Sequence, residues 1–347
     1  MANDLHVALI GYGLAGSVFH APLLAATPGL HLHTVVSRQA DKVAATYPQA
    51  RVLADPAQAF ADPAIDLVVV ATPNDSHAPL ALAALAAGKH VVVDKPFALN
   101  VAQAQAVRDA AARTGRVLGV FHNRRWDADF LALRALLDDG ALGEVAELHS
   151  HFDRFRPQVP DRWRDREGPG SGLWYDLGPH LVDQVLQLFG PPLAVAADLA
   201  RQRSGASATD YFHVQLRYPR LRAVLHAGAL VPGHGLRFAV HGTGGSWIKH
   251  GLDPQEDALR AGAVPGAAGW GRDPRPGTLL RAGDDGSVQE APSPAPAGDY
   301  LAFYAGMRDA ILRGAPPPVT ADEALQVMRV IEAGLLSDAQ RREIPFP

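Results

Sequence analysis

The stretch "LHVALIGYGLAGSVFH", residues 5–20, decides the fold of the first part of this 347-residue chain. Its first six residues are an apolar run that predicts a buried strand, and Gly11, Gly13 and Gly16 follow at once in the spacing G-x-G-x-x-G. The first glycine permits a tight turn, the second lets the backbone approach a pyrophosphate, and the third lets a helix pack on the strand. The stretch therefore predicts a helix over about 14–26 with a dinucleotide diphosphate at its N-terminus. The alternative is a glycine turn that binds no ligand.

Strands and helices continue to alternate as far as about residue 123. The strands are valine-rich and unalternating, which is typical of a parallel sheet covered by helices on both faces. Two of the helices are expected to end at Gly88 and Gly115, because glycine readily adopts a left-handed cap. The predicted strands lie at 30–37, 64–72, 89–96 and 116–123, and the predicted helices at 40–46, 76–87 and 100–114.

The pattern changes beyond about residue 125. The Gly-, Pro- and Ala-rich stretch 251–298 predicts long irregular loops, and 320–340 predicts a closing helix capped by Thr320 with Glu323 three residues later. Four segments alternate apolar with polar residues, as antiparallel strands with one solvated face do, at 143–155, 210–218, 222–230 and 237–247.

These patterns predict an α/β chain with two domains. Residues 1–123 are expected to form a dinucleotide-binding, doubly wound parallel (Rossmann) sheet. Residues 124–347 are expected to form an α+β domain for substrate binding and oligomerisation, built on an open, mostly antiparallel sheet. The closing helix at 320–340 is a candidate to pack back on the first domain.

Composition limits the classes of partner. The chain is 48% hydrophobic and 20% charged, with a formal net charge of -4 and no basic tract, so nothing favours binding to nucleic acid or to an anionic membrane. A small molecule is the expected partner. The absence of cysteine excludes disulfides, thiolate catalysis and cysteine-ligated metals. The start "MANDLHVALIGYG" lacks a basic segment followed by a long apolar stretch, so we expect a cytoplasmic protein.

The end of the second predicted strand bears on the choice of nucleotide. An NAD site usually has an acidic side chain there, whereas this chain has Ser37 and Arg38. A guanidinium beside a hydroxyl suits a 2′-phosphate, so we expect NADP, with NAD as a possible second cofactor. The alternative is that Arg38 is a solvated surface arginine.

The end of the third predicted strand is expected to contribute to the same crevice. Thr72, Pro73 and Asn74 lie at the carboxyl edge, where doubly wound sheets hold ligands. The plainer alternatives are that Asp75 or Ser76 only caps a helix and that His77 is a surface residue of its first turn.

The fourth predicted strand, "GKHVVVDKPFALN" at 88–100, ends with Asp94, Lys95 and Pro96. Together with the glycine loop and a later Asp-x-x-x-His, at Asp176 and His180, this motif resembles the Gfo/Idh/MocA family of NAD(P)-dependent sugar and polyol oxidoreductases. The resemblance covers nearly all of the chain. The usual family motif is Glu-Lys-Pro, so the carboxylate here is one methylene shorter, which puts in doubt any bond carried over from the glutamate.

Within the family, three segments resemble the NADP-dependent scyllo-inositol dehydrogenase group, at 121–127, 151–159 and 168–184. The resemblance implies that His180 is the base in oxidation and the acid in reduction, that Lys95 donates to the same oxygen, and that Asp176 orients the reacting groups. Histidine titrates near working pH and a cation stabilises a developing alkoxide, so these residue types suit the chemistry. The alternatives are a Lys95 that only extends into solvent and a structural His180.

Spacings of four and three would align Asp176, His180 and Asp183 on one helix face. Pro179 lacks an N–H, so the sequence allows either a kinked helix that starts near Leu173 or a regular helix that starts at Pro179. By its position Asp183 is expected only to support the helix.

The remaining candidate residues are expected to bind substrate or cofactor. A polyol or sugar needs a pocket with several hydrogen-bonding groups, although arginine-rich strands that face water have the same pattern. The substrate candidates are His122, Asn123, Arg124, Arg154, Arg156 and Tyr175. The cofactor candidates are Gly11, Tyr12, Gly13, Leu14, Ala15, Gly16, Ser37, Arg38, Thr72, Pro73, Asn74, His77, Asp94 and Lys95, with Trp163 and Arg164 added by the resemblance.

The sequence also bears on metal binding, on the oligomeric state and on other possible functions. His149 and His151 point to one face of a predicted strand, but with no third ligand at a suggestive spacing no metal is expected. The resemblance implies a homodimer or homotetramer that pairs through the open sheet. Two other functions remain open: a regulator that senses NADP(H) without chemistry, and an NAD-dependent glycoside hydrolase of the same fold.

Overall fold

The structure is a computed structural model that describes residues 4–233, 235–283 and 285–346. Residues 1–3 and 347, at the ends of the two predicted domains, lie outside the described residues, as do residue 234 and, within the predicted loop stretch, residue 284.

The chain forms two compact units. The sequence draws one boundary after residue 123, whereas the structure divides the later segments between the units. The first unit contains the chain up to Asn123 together with Gln255–Trp270 and Asp299–Met328, and the second contains Arg124–Pro254, Gly271–Gly298 and the chain from Arg329.

Strands and helices are numbered here in chain order. The strands are β1 (Leu5–Ile10), β2 (Leu30–Val36), β3 (Arg51–Leu53), β4 (Leu67–Val70), β5 (His90–Val93), β6 (Leu118–Val120), β7 (Val145–His151), β8 (Ala194–Ala200), β9 (Tyr211–Arg217), β10 (Arg222–Gly228), β11 (Leu236–Gly242), β12 (Gly245–His250), β13 (Gly277–Ala282), β14 (Val288–Ser293) and β15 (Ile344–Pro345). The α-helices are α1 (Ala21–Ala26), α2 (Ala40–Thr46), α3 (Pro56–Ala61), α4 (His77–Ala86), α5 (Val101–Thr114), α6 (Ala128–Asp138), α7 (Gly172–Phe189), α8 (Gln255–Arg260), α9 (Leu301–Arg313) and α10 (Ala321–Gln340).

The sheet of the first unit is parallel throughout, in the order β3-β2-β1-β4-β5-β6. This is the strand order of a Rossmann sheet, and the fold-class prediction is confirmed. The valine runs of β4 and β5 form the central core, because every residue of β4 and the last three of β5 are buried. Neither β3 nor α3 was predicted from the sequence. Asp55 is a helix-capping residue that could have indicated α3, since it accepts a hydrogen bond from the N–H of Ala57 at 2.9 Å.

The second unit contains a nine-stranded sheet in the order β14-β13-β12-β11-β7-β10-β9-β8-β15. Its neighbours are antiparallel except for β7 and β10, which are parallel, so the prediction of a mostly antiparallel sheet is confirmed. The predicted single strand at 237–247 is two strands, β11 and β12, joined by a tight turn. Helix α7 packs on this sheet, where the Trp174 ring lies 4.9 Å from the ring of Phe212.

The prediction of irregular loops throughout 251–298 is wrong in part. This stretch contains α8 and the antiparallel pair β13 and β14 at the sheet edge. Packing overrides the loop-like composition, because buried Leu279 pairs with Trp247 on β12 and a side chain at Gly277 would collide with the indole of Trp247. Among the described residues no helix combines the length and the apolar character needed to cross a membrane.

The last helix, α10, starts at the predicted capping box. Oγ1 of Thr320 accepts a hydrogen bond from the N–H of Glu323 at 3.2 Å, and Oε2 of Glu323 accepts one from the N–H of Thr320 at 2.8 Å. The first turn of α10 therefore has two of its otherwise unpaired N–H groups satisfied, and this prediction is confirmed.

We expect Thr320→Ala to lower the free energy of unfolding by about 1 kcal/mol, because the N–H of Glu323 loses its acceptor. Thr320→Ser retains the hydroxyl and is the matched control, with a stability close to that of the wild type. Urea unfolding followed by circular dichroism measures both. Equal stability of the alanine and serine variants would show that the cap contributes nothing.

Candidate active site

The glycine turn after β1 combines two tight contacts with one open position. Gly11 has φ 99°, and a Cβ there would lie 2.5 Å from the carbonyl oxygen of Ala71, at the end of β4. A Cβ at Gly16 would collide with the carbonyl oxygen of Gly11, whereas a Cβ at Gly13 would meet nothing within 4 Å. Gly11 and Gly16 are thus required by packing, and Gly13 leaves an exposed backbone that a diphosphate can approach. These residues fit a bound dinucleotide.

The helix that follows the turn is not a regular α-helix at its start. Residues Ala15–His20 form a π-helical segment in which the N–H of Ala21 bonds the carbonyl of Gly16, and α1 continues from there. Pro22, in the first turn of α1, has no N–H to give to the preceding turn, which favours such an irregular start. The π-helical segment ends at His20, whose side chain is fully buried.

His20 joins a buried polar chain that the sequence reading missed. Its Nδ1 lies 2.6 Å from the hydroxyl of Tyr304 on α9, and its Nε2 lies 3.6 Å from Oδ1 of Asp94, directly after β5. The same carboxylate oxygen accepts a hydrogen bond from the N–H of Lys95 at 2.8 Å. Tyr304, His20 and Asp94 therefore support the backbone that carries Lys95. A histidine within the apolar run of a helix is the sequence signal that could have indicated this chain.

The environment of Asp94 favours its ionised form. Burial alone would raise the pKa of this carboxyl, but the nearby His20, together with Lys95 and His77, outweighs it and holds the pKa below its ordinary value. Burial raises the pKa of Tyr304 well above its ordinary value, and the Asp94 carboxylate adds to the shift, so the phenol remains protonated.

His77 ties two loops together at the same edge of the sheet. Its Nδ1 lies 2.8 Å from the carbonyl oxygen of Pro96, and its Nε2 lies 2.9 Å from that of Thr72. Burial lowers the pKa of His77, and a neutral imidazole donates only one of these two bonds. The interpretation of His77 as a surface residue is wrong, because the side chain is buried. It lies beside the half-buried Lys95, which a cis peptide joins to Pro96.

The neighbouring cofactor candidates also lie at this edge. The Ser37 hydroxyl accepts a hydrogen bond from the N–H of Gln39 at 3.0 Å, while Arg38 is exposed. Tyr12 is buried, and its ring packs edge-on against Tyr47. Ser76 donates within its own turn, to Thr72 or Pro73, and its side chain forms no capping bond at the start of α4.

In the second unit, helix α7 runs from Gly172 through Pro179 to Phe189, so the alternative that starts at Pro179 is wrong. Buried contacts of Asp183 and Gln184 hold the helix in place. The Arg125 guanidinium donates to both carboxylate oxygens of Asp183, at 2.9 and 2.7 Å. Gln184 donates to the carbonyl of Arg124 at 2.8 Å and accepts from Arg237 at 2.6 Å. Asp183 thus has the supporting role that its position suggested.

Asp176, on the same helix, lines an arginine-rich pocket of the second unit. Arg154 lies 3.4 Å and Arg164 lies 3.6 Å from its carboxylate oxygens, and Arg156 contributes to the lining. The structure therefore brings together four predicted residues that are separated in sequence. Arg203, which was not predicted, holds the pocket wall through Asp210 at 2.9 Å.

The other predicted residues of this region have different surroundings. His180 is buried one turn after Asp176. Arg124 is buried in an ion pair with Asp127 at 3.2 Å, with its guanidinium 4.6 Å from the centre of the Phe152 ring. Trp163 is exposed with the Arg164 guanidinium over its ring, and Tyr175 is half-buried, which raises its pKa. In the first unit, His122 and Asn123 are buried directly after β6.

This fold and these residues define an NAD(P)-dependent oxidoreductase. The chain belongs to the Gfo/Idh/MocA oxidoreductase family. Residues 5–122 match the family's NAD-binding Rossmann fold, and residues 134–346 match its C-terminal alpha/beta domain.

Relatives match over nearly the whole chain. YdgJ of Escherichia coli K12, an oxidoreductase described as uncharacterized, is 52% identical over 98% of both chains. The scyllo-inositol 2-dehydrogenase (NADP(+)) IolW of Bacillus subtilis 168 is 41% identical over 99% of this chain and 96% of its own length. A solved structure of YvaA from Bacillus subtilis superposes with a TM-score of 0.97 at 39% identity, covering 100% of this chain and 99% of that chain.

We expect Asp94→Asn to lower the free energy of unfolding at pH 7 by about 1–3 kcal/mol, because charge-assisted contacts are lost. The folded-state pKa of Asp94 lies below its ordinary value of 3.8, so its contribution is fully present above that value and is lost as the pH falls through the lower folded pKa. The difference between wild type and variant should therefore shrink below about pH 4. Urea unfolding between pH 3 and 7 measures this.

The exposed carboxylate of Asp75 supplies the matched control, since Asp75→Asn should leave stability nearly unchanged. A stability loss in Asp94→Asn that stays constant from pH 7 to pH 3 would contradict the ionised state assigned to Asp94.

Proposed function

We propose that this protein is an NADP-dependent dehydrogenase that transfers a hydride between the nicotinamide and a secondary hydroxyl of a cyclic polyol or related sugar. Scyllo-inositol and its keto form are the leading candidate pair. The proposal is supported by the 41% identity with a relative named for this activity and by family membership of both units. The observation that carries it is the position of Lys95 just beyond the carboxyl end of β5, in the same parallel sheet whose strand β1 leads into the glycine turn, with its N–H bonded to Asp94.

Lys95, Asp176 and His180 are the proposed catalytic residues. In oxidation His180 takes the hydroxyl proton, Lys95 donates to the same oxygen and stabilises its developing negative charge, and Asp176 orients the substrate. The arginines around Asp176 keep its carboxylate in a defined position, since two guanidiniums lie within 3.6 Å of it. Bound NADP supplies the hydride acceptor. The remaining polar candidates, His122, Asn123, Arg124, Arg154, Arg156 and Tyr175, are proposed to surround the polyol.

The proposed cofactor contacts begin at the glycine turn. The exposed backbone at Gly13 would receive the diphosphate, and Ser37 with Arg38 would receive a 2′-phosphate. The Ser37 hydroxyl oxygen accepts a hydrogen bond from the N–H of Gln39. The hydroxyl proton of Ser37 is not used in that bond, so it can be donated to a phosphate oxygen. The other proposed cofactor contacts are Thr72, Pro73, Asn74, His77, Asp94, Lys95, Trp163 and Arg164. We also propose that the protein is cytoplasmic and forms a homodimer or homotetramer.

We expect the purified protein to reduce NADP in the presence of scyllo-inositol, measured as absorbance at the NADPH band. Lys95→Met and His180→Asn should each lower kcat by about 10²–10⁴-fold, because each removes a group that acts on the reacting oxygen. The affinity of His180→Asn for NADPH, measured by calorimetry, should stay close to that of the wild type, and that of Lys95→Met should fall far less than its kcat. His250→Asn, at an exposed position, is the matched control with unchanged kcat. Full turnover in both catalytic variants would reject the proposed roles.

We expect Arg38→Ala to raise the KM for NADP about tenfold or more while changing the KM for NAD little, because a charge-assisted bond to phosphate contributes about 1.5–3 kcal/mol. Steady-state rates with each cofactor measure the ratio. Arg113→Ala, in the last turn of α5, is the control for loss of a surface arginine. Equal changes for both cofactors would contradict recognition of the 2′-phosphate by Arg38.

A further inference from the structure

Three potential metal ligands lie together in the second unit, and the proposed reaction uses none of them. Asp153 follows β7, with Oδ2 3.3 Å from Nδ1 of His151 and Oδ1 3.4 Å from Nε2 of His226 on β10. All three ligand atoms lie within 4.8 Å of one another. The parallel register of β7 and β10 pairs His151 with His226, which places the two rings 4.8 Å apart. We call this group the His151–Asp153–His226 cluster.

The spacing of these atoms suits a single small ion. Zinc binds imidazole nitrogen and carboxylate oxygen at about 2.0–2.2 Å, and ligands arranged tetrahedrally at that distance lie about 3.3–3.6 Å from one another. Both distances from Asp153 to a histidine nitrogen, 3.3 and 3.4 Å, fall in or at this range. These two distances run to different oxygens of the Asp153 carboxylate. For one oxygen to bind the ion, the carboxylate has to turn and the two imidazoles have to approach each other, from ligand atoms that lie within 4.8 Å of one another. Side-chain rotations can achieve both changes.

We propose that the His151–Asp153–His226 cluster binds a divalent first-row transition-metal ion of the zinc type, with water at the remaining position. Two imidazoles and one carboxylate are a donor set of known zinc sites, whereas magnesium and calcium prefer oxygen donors throughout. None of its three side chains is assigned a part in the proposed hydride transfer, and its existence does not depend on the identity of the polyol.

The surroundings of the cluster are compatible with metal binding. The side chains of His151, Asp153 and His226 are 19%, 8% and 16% exposed, so they are partly shielded yet open to an entering ion. Oδ1 of Asp153 also accepts a hydrogen bond from the N–H of Gly228 at 2.9 Å, which orients the carboxylate. Burial lowers the pKa of His226, although Asp153 opposes the shift, and a neutral imidazole is the form that binds a metal.

A bound ion would link two neighbouring strands of the sheet and the start of the loop after β7. Because it would bind the folded chain more tightly than the unfolded chain, it should stabilise the second unit in proportion to its free concentration. The sequence reading expected no metal because it found no third ligand near His149 and His151. In the structure the additional candidate ligands are His226, which lies on β10 far along the chain, and Asp153, which lies just beyond the end of β7.

The test is equilibrium dialysis of the untagged full-length protein against Zn²⁺ after treatment with a chelator. We expect one saturable site per chain, and at least tenfold weaker binding in Asp153→Asn and in His226→Gln. Asp153→Asn removes the charge while retaining an oxygen that can accept from Gly228. The control is His31→Gln with His33→Gln, in a second histidine group whose rings lie 5.0–6.3 Å apart. This control should bind Zn²⁺ as the wild type does.

Two outcomes would overturn the proposal. The first is that the wild type shows no saturable binding of Zn²⁺. The second is that Asp153→Asn and His226→Gln bind Zn²⁺ as tightly as the wild type, which would mean an adventitious ion only. Because a variant can fail to fold, Co²⁺ is added to the wild type as a second measurement. Visible absorption bands that saturate at one Co²⁺ per chain, and that Zn²⁺ abolishes, support a shared nitrogen and oxygen site. Absence of such bands contradicts it.

Discussion

The first unit depends on the close backbone contact among Gly11, Gly16 and Ala71. No side chain can be accommodated at either glycine without moving the backbone of the glycine turn or the end of β4. This contact fixes where the helix after the turn begins, and its π-helical start ends at His20, which is buried against Asp94 and Tyr304. The segment that begins at this contact thus carries both the exposed backbone at Gly13 and the His20 side chain that lies beside Asp94.

In the second unit, helix α7 is held by buried polar contacts rather than by close backbone packing. Helix α7 is held by charges that are out of water, chiefly Asp183 with Arg125 and Gln184 with Arg237. Burying charge is costly unless every partner is present, so such pairs favour one arrangement of the helix more than they add to overall stability. Asp176 and His180 are therefore placed by a helix whose position tolerates little change, which suits the catalytic roles proposed for them.

The features that the sequence predicted correctly are those that depend on residues close together in the chain. The glycine spacing, the buried valine strands and the Thr320–Glu323 cap depend on neighbours in sequence, and all appear in the structure. Long-range partners could not be predicted: His20 meets Tyr304 on α9, Arg125 meets Asp183, and His151 meets His226 through strand register. The edge strands β13 and β14 form because the second sheet provides Trp247 as a packing partner, and a Gly- and Pro-rich composition does not show this.

The central claim is that this chain moves a hydride from a carbinol carbon of the polyol to NADP. The most direct measurement uses scyllo-inositol deuterated at its ring carbons, with mass spectrometry and proton NMR of the cofactor after one turnover. The account predicts one deuterium at C4 of the reduced nicotinamide, on one face only, in equal amount to the keto product. A reduced cofactor without deuterium, or a polyol consumed with no net change in the cofactor, would contradict it.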